Sequence, residues 1–154
     1  ILLLLGYETM RRRSELCNFK FEDLTRIPRR GHAIRLMRSK TDQEGASKLI
    51  PISPTLHSLI TEWQNKNELE GVILRSVNRH GNVGNKLNSG SIGAILNRLK
   101  ASLGGELNKR HFSGHSFRVG AAIDLLEAGA SLETIMLKGG WRSQDNAMHY
   151  LRGW

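Results

Sequence analysis

Residues 114–122 read GHSFRVGAA, a run of small and apolar residues that opens on a histidine and, three positions later, an arginine. An ordinary helix start carries an acid or a hydroxyl there, because the free N–H groups of the first turn favour negative charge and oppose Arg. Residues three apart on a helix share one face, so His115 and Arg118 reach a common target from the first turn. The backbone N–H groups at that end add a mild positive pole, which suits a phosphate oxygen. Two residues alone are a weak pattern, and a satisfied core histidine beside a surface arginine reads the same way.

Working outward, Val119, Ala122, Ile123 and Leu126 fall on one predicted helix face, and Gly129 supplies a stop. Ser131 then opens a short helix carrying Leu132, Ile135 and Met136, which Gly139-Gly140 ends. A last short helix, RSQDNAMHYL, runs to Tyr150. Upstream, Ile92, Ile95, Leu96 and Leu99 have helical spacing. So do Leu56, Leu59, Ile60 and Trp63, behind the N-cap and first-turn pair Ser53-Pro54. HAIRLMR alternates Ile34 and Leu36 with Arg35 and Met37, and KLIPIS repeats the period of two. Those runs predict a β-hairpin with Lys40 at its turn end and Pro51 keeping the second strand near a sheet edge. Residues 2–5 begin a helix that breaks near the arginines and resumes for a turn or two. FEDLTRIP leaves helical behaviour and closes at Pro28. GVILRSV is a short apolar run, and segments 78–91 and 101–113 read as loops. The expected class is α+β, mainly helical with a small antiparallel sheet, in one domain over 1–154.

Bulk properties agree with one soluble domain: 154 residues, 39% hydrophobic, 24% charged. The formal charge of +9 is uneven, with RRR at 11–13, RRGHAIRLMRSK at 29–40 and KR at 109–110. Clustered positive charge is the footprint of a polyanion-binding face, nucleic acid first. Cys17 is the single cysteine, so it reads as a packed small side chain in a reducing compartment rather than part of a disulfide or a multi-cysteine metal site. The opening ILLLLGYETM has neither the basic leader nor the apolar length of a signal or membrane segment. It starts without Met, as if inside a helix, and we expect a piece of a longer protein.

Arg12 and Glu15 repeat the three-residue spacing, and a carboxylate one turn away orients a guanidinium; as a surface ion pair it is worth little. GGWRSQDNAMHYLR sets Trp141 nine residues before Tyr150. In order, Arg-x-Ser-Glu-Leu, a hairpin lysine, His-x-x-Arg and Gly-Gly-Trp followed by Tyr resemble the tyrosine recombinase (phage integrase) family, with the run from Gly114 to Arg152 closest to its Cre-like branch.

The resemblance implies the catalytic-domain fold of that family and a role for each matching residue. Arg12, flanked by Arg11 and Arg13, matches the first catalytic arginine, and Glu15 the acid supporting it. Lys40 matches the catalytic lysine, His115 and Arg118 the second basic pair, Trp141 the position that holds His or Trp, and Tyr150 the nucleophile. Two arginines give planar, bidentate donors to the non-bridging oxygens of a phosphodiester under attack. His115 and the Trp141 indole add hydrogen bonds, and Lys40 protonates the departing 5′ oxygen. The implied product is a 3′-phosphotyrosine link with a free 5′ hydroxyl, formed without cofactor or metal. The implied partner is double-stranded DNA, bound by a homotetramer of the full-length protein and by a monomer of this piece. The implied place is the cytoplasm, on the nucleoid of a bacterium or phage host. A non-catalytic DNA-binding domain on the same scaffold, and a type IB topoisomerase-like relaxing enzyme, are the competing expectations.

Overall fold

The structure, a computed structural model, describes residues 1–37, 47–105 and 112–152. Helix α1 (Leu2–Thr9) ends on Met10, whose φ of 53° is left-handed and whose N–H returns to Gly6 O. The chain therefore turns sharply before α2 (Arg13–Leu16). The arginines thus stand at a break between two helices, as their sequence suggested.

A 3-10 turn at Phe21–Asp23 leads into β1 (Leu24–Ile27), β2 (Gly31–Leu36) and β3 (Lys48–Ile52). They form an antiparallel sheet in the order β1-β2-β3, with Leu24 and Ile50 both opposite Ile34. The sheet thus has one strand more than the expected hairpin. β1, LTRI, reads weakly because its residues are only partly buried and do not alternate cleanly. Pro51, opposite Ala33 of β2, lies on β3, an edge strand, the place in a sheet that tolerates a residue without an N–H.

Five helices follow: α3 (Pro54–Asn67), α4 (Ser91–Leu103), α5 (Ser116–Glu127), α6 (Leu132–Gly139) and α7 (Gln144–Leu151). Ser53, Ser131 and Ser143 each accept a hydrogen bond from the N–H three residues on, capping α3, α6 and α7. α3 and α4 bury Leu56, Ile60, Ile92 and Leu96, but turn Leu59 and Leu99 outward. α5 departs further from its predicted face: Arg118, Ala121 and Ala122 are buried, while Leu126 is exposed. Apolar periodicity cannot anticipate a helix that turns an arginine inward.

The buried side chains form two clusters. One joins α1 and α2 to the sheet, α3 and α4 through Leu5, Leu16, Phe19, Ile34, Leu56 and Ile92. The other joins α5, α6 and α7 through Ala122, Ile135, Trp141, Ala147 and Leu151, and takes Met10 from the α1–α2 turn. Cys17 packs in the first as a free thiol. Helices α1 and α5 touch at Gly6, where an added Cβ would stand 2.8 Å from the Phe117 ring. No helix among the described residues is long and apolar enough to cross a membrane.

Candidate active site

The seam between the two clusters gathers the residues singled out by the sequence. At its floor, Glu15 is buried and accepts the Arg12 N–H at 2.8 Å, stabilising the start of α2. Its second oxygen lies 3.7 Å from Arg12 Nη1, so the guanidinium is steered while staying partly open to solvent. Against this turn packs Gly114: a Cβ there would stand 2.0 Å from Arg13 Cδ. The glycine of GHSFRVGAA lets the α5 N-terminus close on the arginine segment.

Serines meet the backbone at that end. Ser113 Oγ accepts the His115 N–H at 3.2 Å, and Ser116 Oγ the Ser113 N–H at 2.8 Å. His115, the N-cap of α5, makes no side-chain cap bond, and its exposed ring stacks with Tyr150, centroids 6.1 Å apart and planes 10° from parallel. One turn on, Arg118 is 4% exposed. Its Nη2 donates to Gly139 O at 2.7 Å, and its Cζ lies 4.6 Å over the Trp141 ring. Burial, then the charges of Arg12 and Arg11, lower its pKa to about 10, while Glu15 and Tyr150 pull the other way. It remains a cation at neutral pH.

Tyr150, on the last turn of α7, is half-buried among aromatic rings. Trp141 lies 5.8 Å away at 38°, and His149 stands edge-on at 5.6 Å. Adjacent helical side chains diverge as a rule, yet the His149 ring reaches its neighbour's edge. Three buried side-chain atoms among the described residues have no hydrogen-bond partner within the protein: the donors Arg118 Nε and Trp141 Nε1, and the Glu15 oxygen that lies 3.7 Å from Arg12 Nη1. An unmade hydrogen bond on a buried donor costs about 1–3 kcal/mol, so two such donors beside one phenol mark a place built for an acceptor. With Arg11, Arg12 and Arg118 around the single carboxylate of Glu15, that acceptor is anionic.

The structure thus gathers Arg12, Glu15, His115, Arg118, Trp141 and Tyr150. Lys40 lies outside the described residues. Two cations had not been singled out. Arg11, 4% exposed, donates Nε to Thr9 O at 2.8 Å and Nη2 to Lys138 O. Lys48, at the start of β3, donates Nζ to Leu137 O. Burial lowers the pKa of both; Lys48 is lowered further by the nearby Arg11. Their targets are backbone carbonyls, which no residue letter announces. Among the described residues no three His, Cys, Asp or Glu side chains gather as metal ligands.

Residues 1–153 match the model of the phage integrase family. The chain is 26% identical over 163 aligned positions to the recombinase Cre of Escherichia phage P1, covering 96% of this chain and 47% of that protein. It is 29% identical over 157 positions to an integrase/recombinase XerD homologue of Selenomonas ruminantium, covering 97% and 46%. It therefore spans just under half the length of either relative. The fold matches XerA recombinase with a TM-score of 0.73 at 17% identity, over 97% of this chain and 49% of that one. It matches XerH site-specific recombinase, in a pre-cleavage complex with its difH substrate, with a TM-score of 0.72 at 18% identity, over 97% and 41%. Fold, motif order and sequence similarity converge, and the chain belongs to the phage integrase family of tyrosine recombinases.

Proposed function

We propose that residues 1–154 are one catalytic domain of a site-specific DNA recombinase that breaks and rejoins strands through Tyr150. The observation that carries this is the pair of buried, unpartnered donors, Arg118 Nε and Trp141 Nε1, beside a phenol ringed by aromatics. The phenol oxygen attacks phosphorus, the bond to the 5′ oxygen breaks, and the strand is held as a 3′-phosphotyrosine. Arg12, steered by Glu15, and Arg118 meet the non-bridging oxygens as their charge grows. Trp141 donates its indole N–H, and His115, face to face with Tyr150, receives the phenolic proton. Lys40 gives a proton to the departing 5′ oxygen. Attack by a 5′ hydroxyl reverses every step, so the bond energy stored in the link reseals the strand without another energy source.

The substrate in this proposal is double-stranded DNA, held by the basic face and assembled on by four copies of the full-length protein in the cytoplasm. The test uses this chain and its full-length parent with labelled nicked duplexes carrying the DNA that flanks the gene. An SDS-resistant adduct that forms with the parent and vanishes in Tyr150→Phe, with DNA binding retained, is expected. A parent that binds these duplexes but never links to them overturns the proposal in favour of a DNA-binding scaffold.

A further inference from the structure

The end of α6 is held in an unusual way. The N–H groups of Gly140 and Trp141 both turn back to Met136 O, at 2.7 and 3.0 Å. The carbonyls of Leu137, Lys138 and Gly139 are left at the negative pole of the helix, beyond its own ladder. Each is taken by a different cation from a different part of the chain: Leu137 O by Lys48 of β3, Lys138 O by Arg11 of the α1–α2 turn, and Gly139 O by Arg118 of α5. Gly140 makes room for this, with φ of +69° and only 2.8 Å between an added Cβ and Arg11 Nη1.

Two residues beyond these carbonyls the chain places Trp141, and from there α7 carries Tyr150. We infer that Lys48 and Arg11 are positioning residues: with Arg118 they form a three-cation cap on α6 that fixes where Trp141 and Tyr150 stand, tying α6, from whose end the chain runs into the nucleophile's helix, to the sheet. This rests on the reading of Tyr150 as nucleophile for its catalytic consequence, and on the structure alone for its mechanical one. The cap links the two buried clusters through Lys48, which opens the strand carrying Ile50 and Ile52 of the first, while Ile135 of α6 belongs to the second. Anything that moves β3 moves the seat of the tryptophan.

The experiment compares the parent protein with Lys48→Met, Lys48→Arg, Arg11→Met and Arg11→Lys. Backbone amide exchange is followed by mass spectrometry, and covalent capture is measured at saturating nicked duplex. Loss of one charge-assisted hydrogen bond is expected to speed exchange over residues 137–151 about tenfold, while α3 keeps its protection. Capture at saturating DNA falls at least about tenfold with DNA affinity nearly unchanged, and Lys48→Arg restores both readouts. Unchanged exchange over 137–151 in both methionine variants overturns the inference. So does a loss of DNA affinity alone, which would make these side chains simple phosphate contacts. If the parent never forms an adduct yet exchange responds as stated, the cap stands and the nucleophile assignment falls.

Discussion

Gly139→Ala tests how tightly the tryptophan is seated. Gly139 is the last residue of α6 and has no unusual φ, so alanine meets no backbone strain there. Its Cβ would nevertheless stand 2.1 and 2.2 Å from Trp141 Cζ3 and Cε3. Carbon atoms rest at about 3.5–4.0 Å, so the ring must retreat by about 1.5 Å. Overpacking of this kind costs about 1–3 kcal/mol, and the better helix propensity of alanine returns up to about 1 kcal/mol. The expected net loss of stability is about 0–3 kcal/mol, within the range that a folded domain of about 5–15 kcal/mol tolerates. The site suffers more, because the same ring lies under Arg118 and beside Tyr150. A misplacement of about 1 Å in a catalytic constellation costs about 100-fold, and covalent capture on nicked duplexes should fall by that order while the melting temperature shifts by a few degrees. Adding Trp141→His, a smaller ring that keeps an N–H donor, should recover part of the lost rate. Capture by Gly139→Ala at the wild-type rate, with tryptophan fluorescence unchanged, would refute the packing argument.

Trp141→Phe keeps an aromatic ring but removes the unpartnered donor and part of the buried indole; capture should drop about 10²-fold or more, while denaturant stability moves less, because the cavity left by the smaller ring is offset by the loss of a buried orphan. Met10→Gly relieves a left-handed backbone worth about 1–2 kcal/mol but empties a side chain that is 1% exposed, a loss of about 2–5 kcal/mol. Urea titration should therefore show net destabilisation. His57, stacked at 3.7 Å on His32 across α3 and β2, has its pKa lowered by burial and by that neighbour. Its neutral form is the one the fold prefers, so its contribution is complete above the ordinary value of about 6.5 and declines as pH falls below it. His57→Gln should flatten the drop in melting temperature between pH 7.5 and 5.5, and an unchanged slope would count against the pair.

Several elements were legible because their signals are local. Ser53-Pro54, Ser131 and the Gly139-Gly140 stop bound α3 and α6 by backbone chemistry that sequence records directly. Arg12, Glu15, His115, Arg118, Trp141 and Tyr150 were legible as one site through the resemblance of their ordered motifs to the tyrosine recombinase family, since each spacing alone also suits an ordinary surface or core residue. What escaped depends on partners far along the chain. Arg118 faces inward because Gly139 O waits 21 residues away, and a periodicity argument assigns a charged residue to water. Arg11 looked like one more letter of a basic run, yet its burial follows from the carbonyls of Thr9 and Lys138. Strand β1 was missed because pairing with β2, rather than its own alternation, makes it a strand.

Helix α1 has a consequence for how the chain comes together in time. It is formed within the first ten residues, yet its Tyr7 hydroxyl closes on Asp124 and its Gly6 on Phe117. Those partners are more than a hundred residues downstream, so on a ribosome the helix waits on the order of ten seconds for them. Throughout that interval Leu5 can pack with the sheet, α3 and α4 residues of the first cluster, while the face of α1 that meets α5 waits. Loop closure over such a span is slow and its entropy is recovered only late. The seam holding the arginines and the tyrosine therefore forms late among these elements, and a chain arrested before α5 emerges would carry the first core with the α5-facing side of α1 still waiting for its partner.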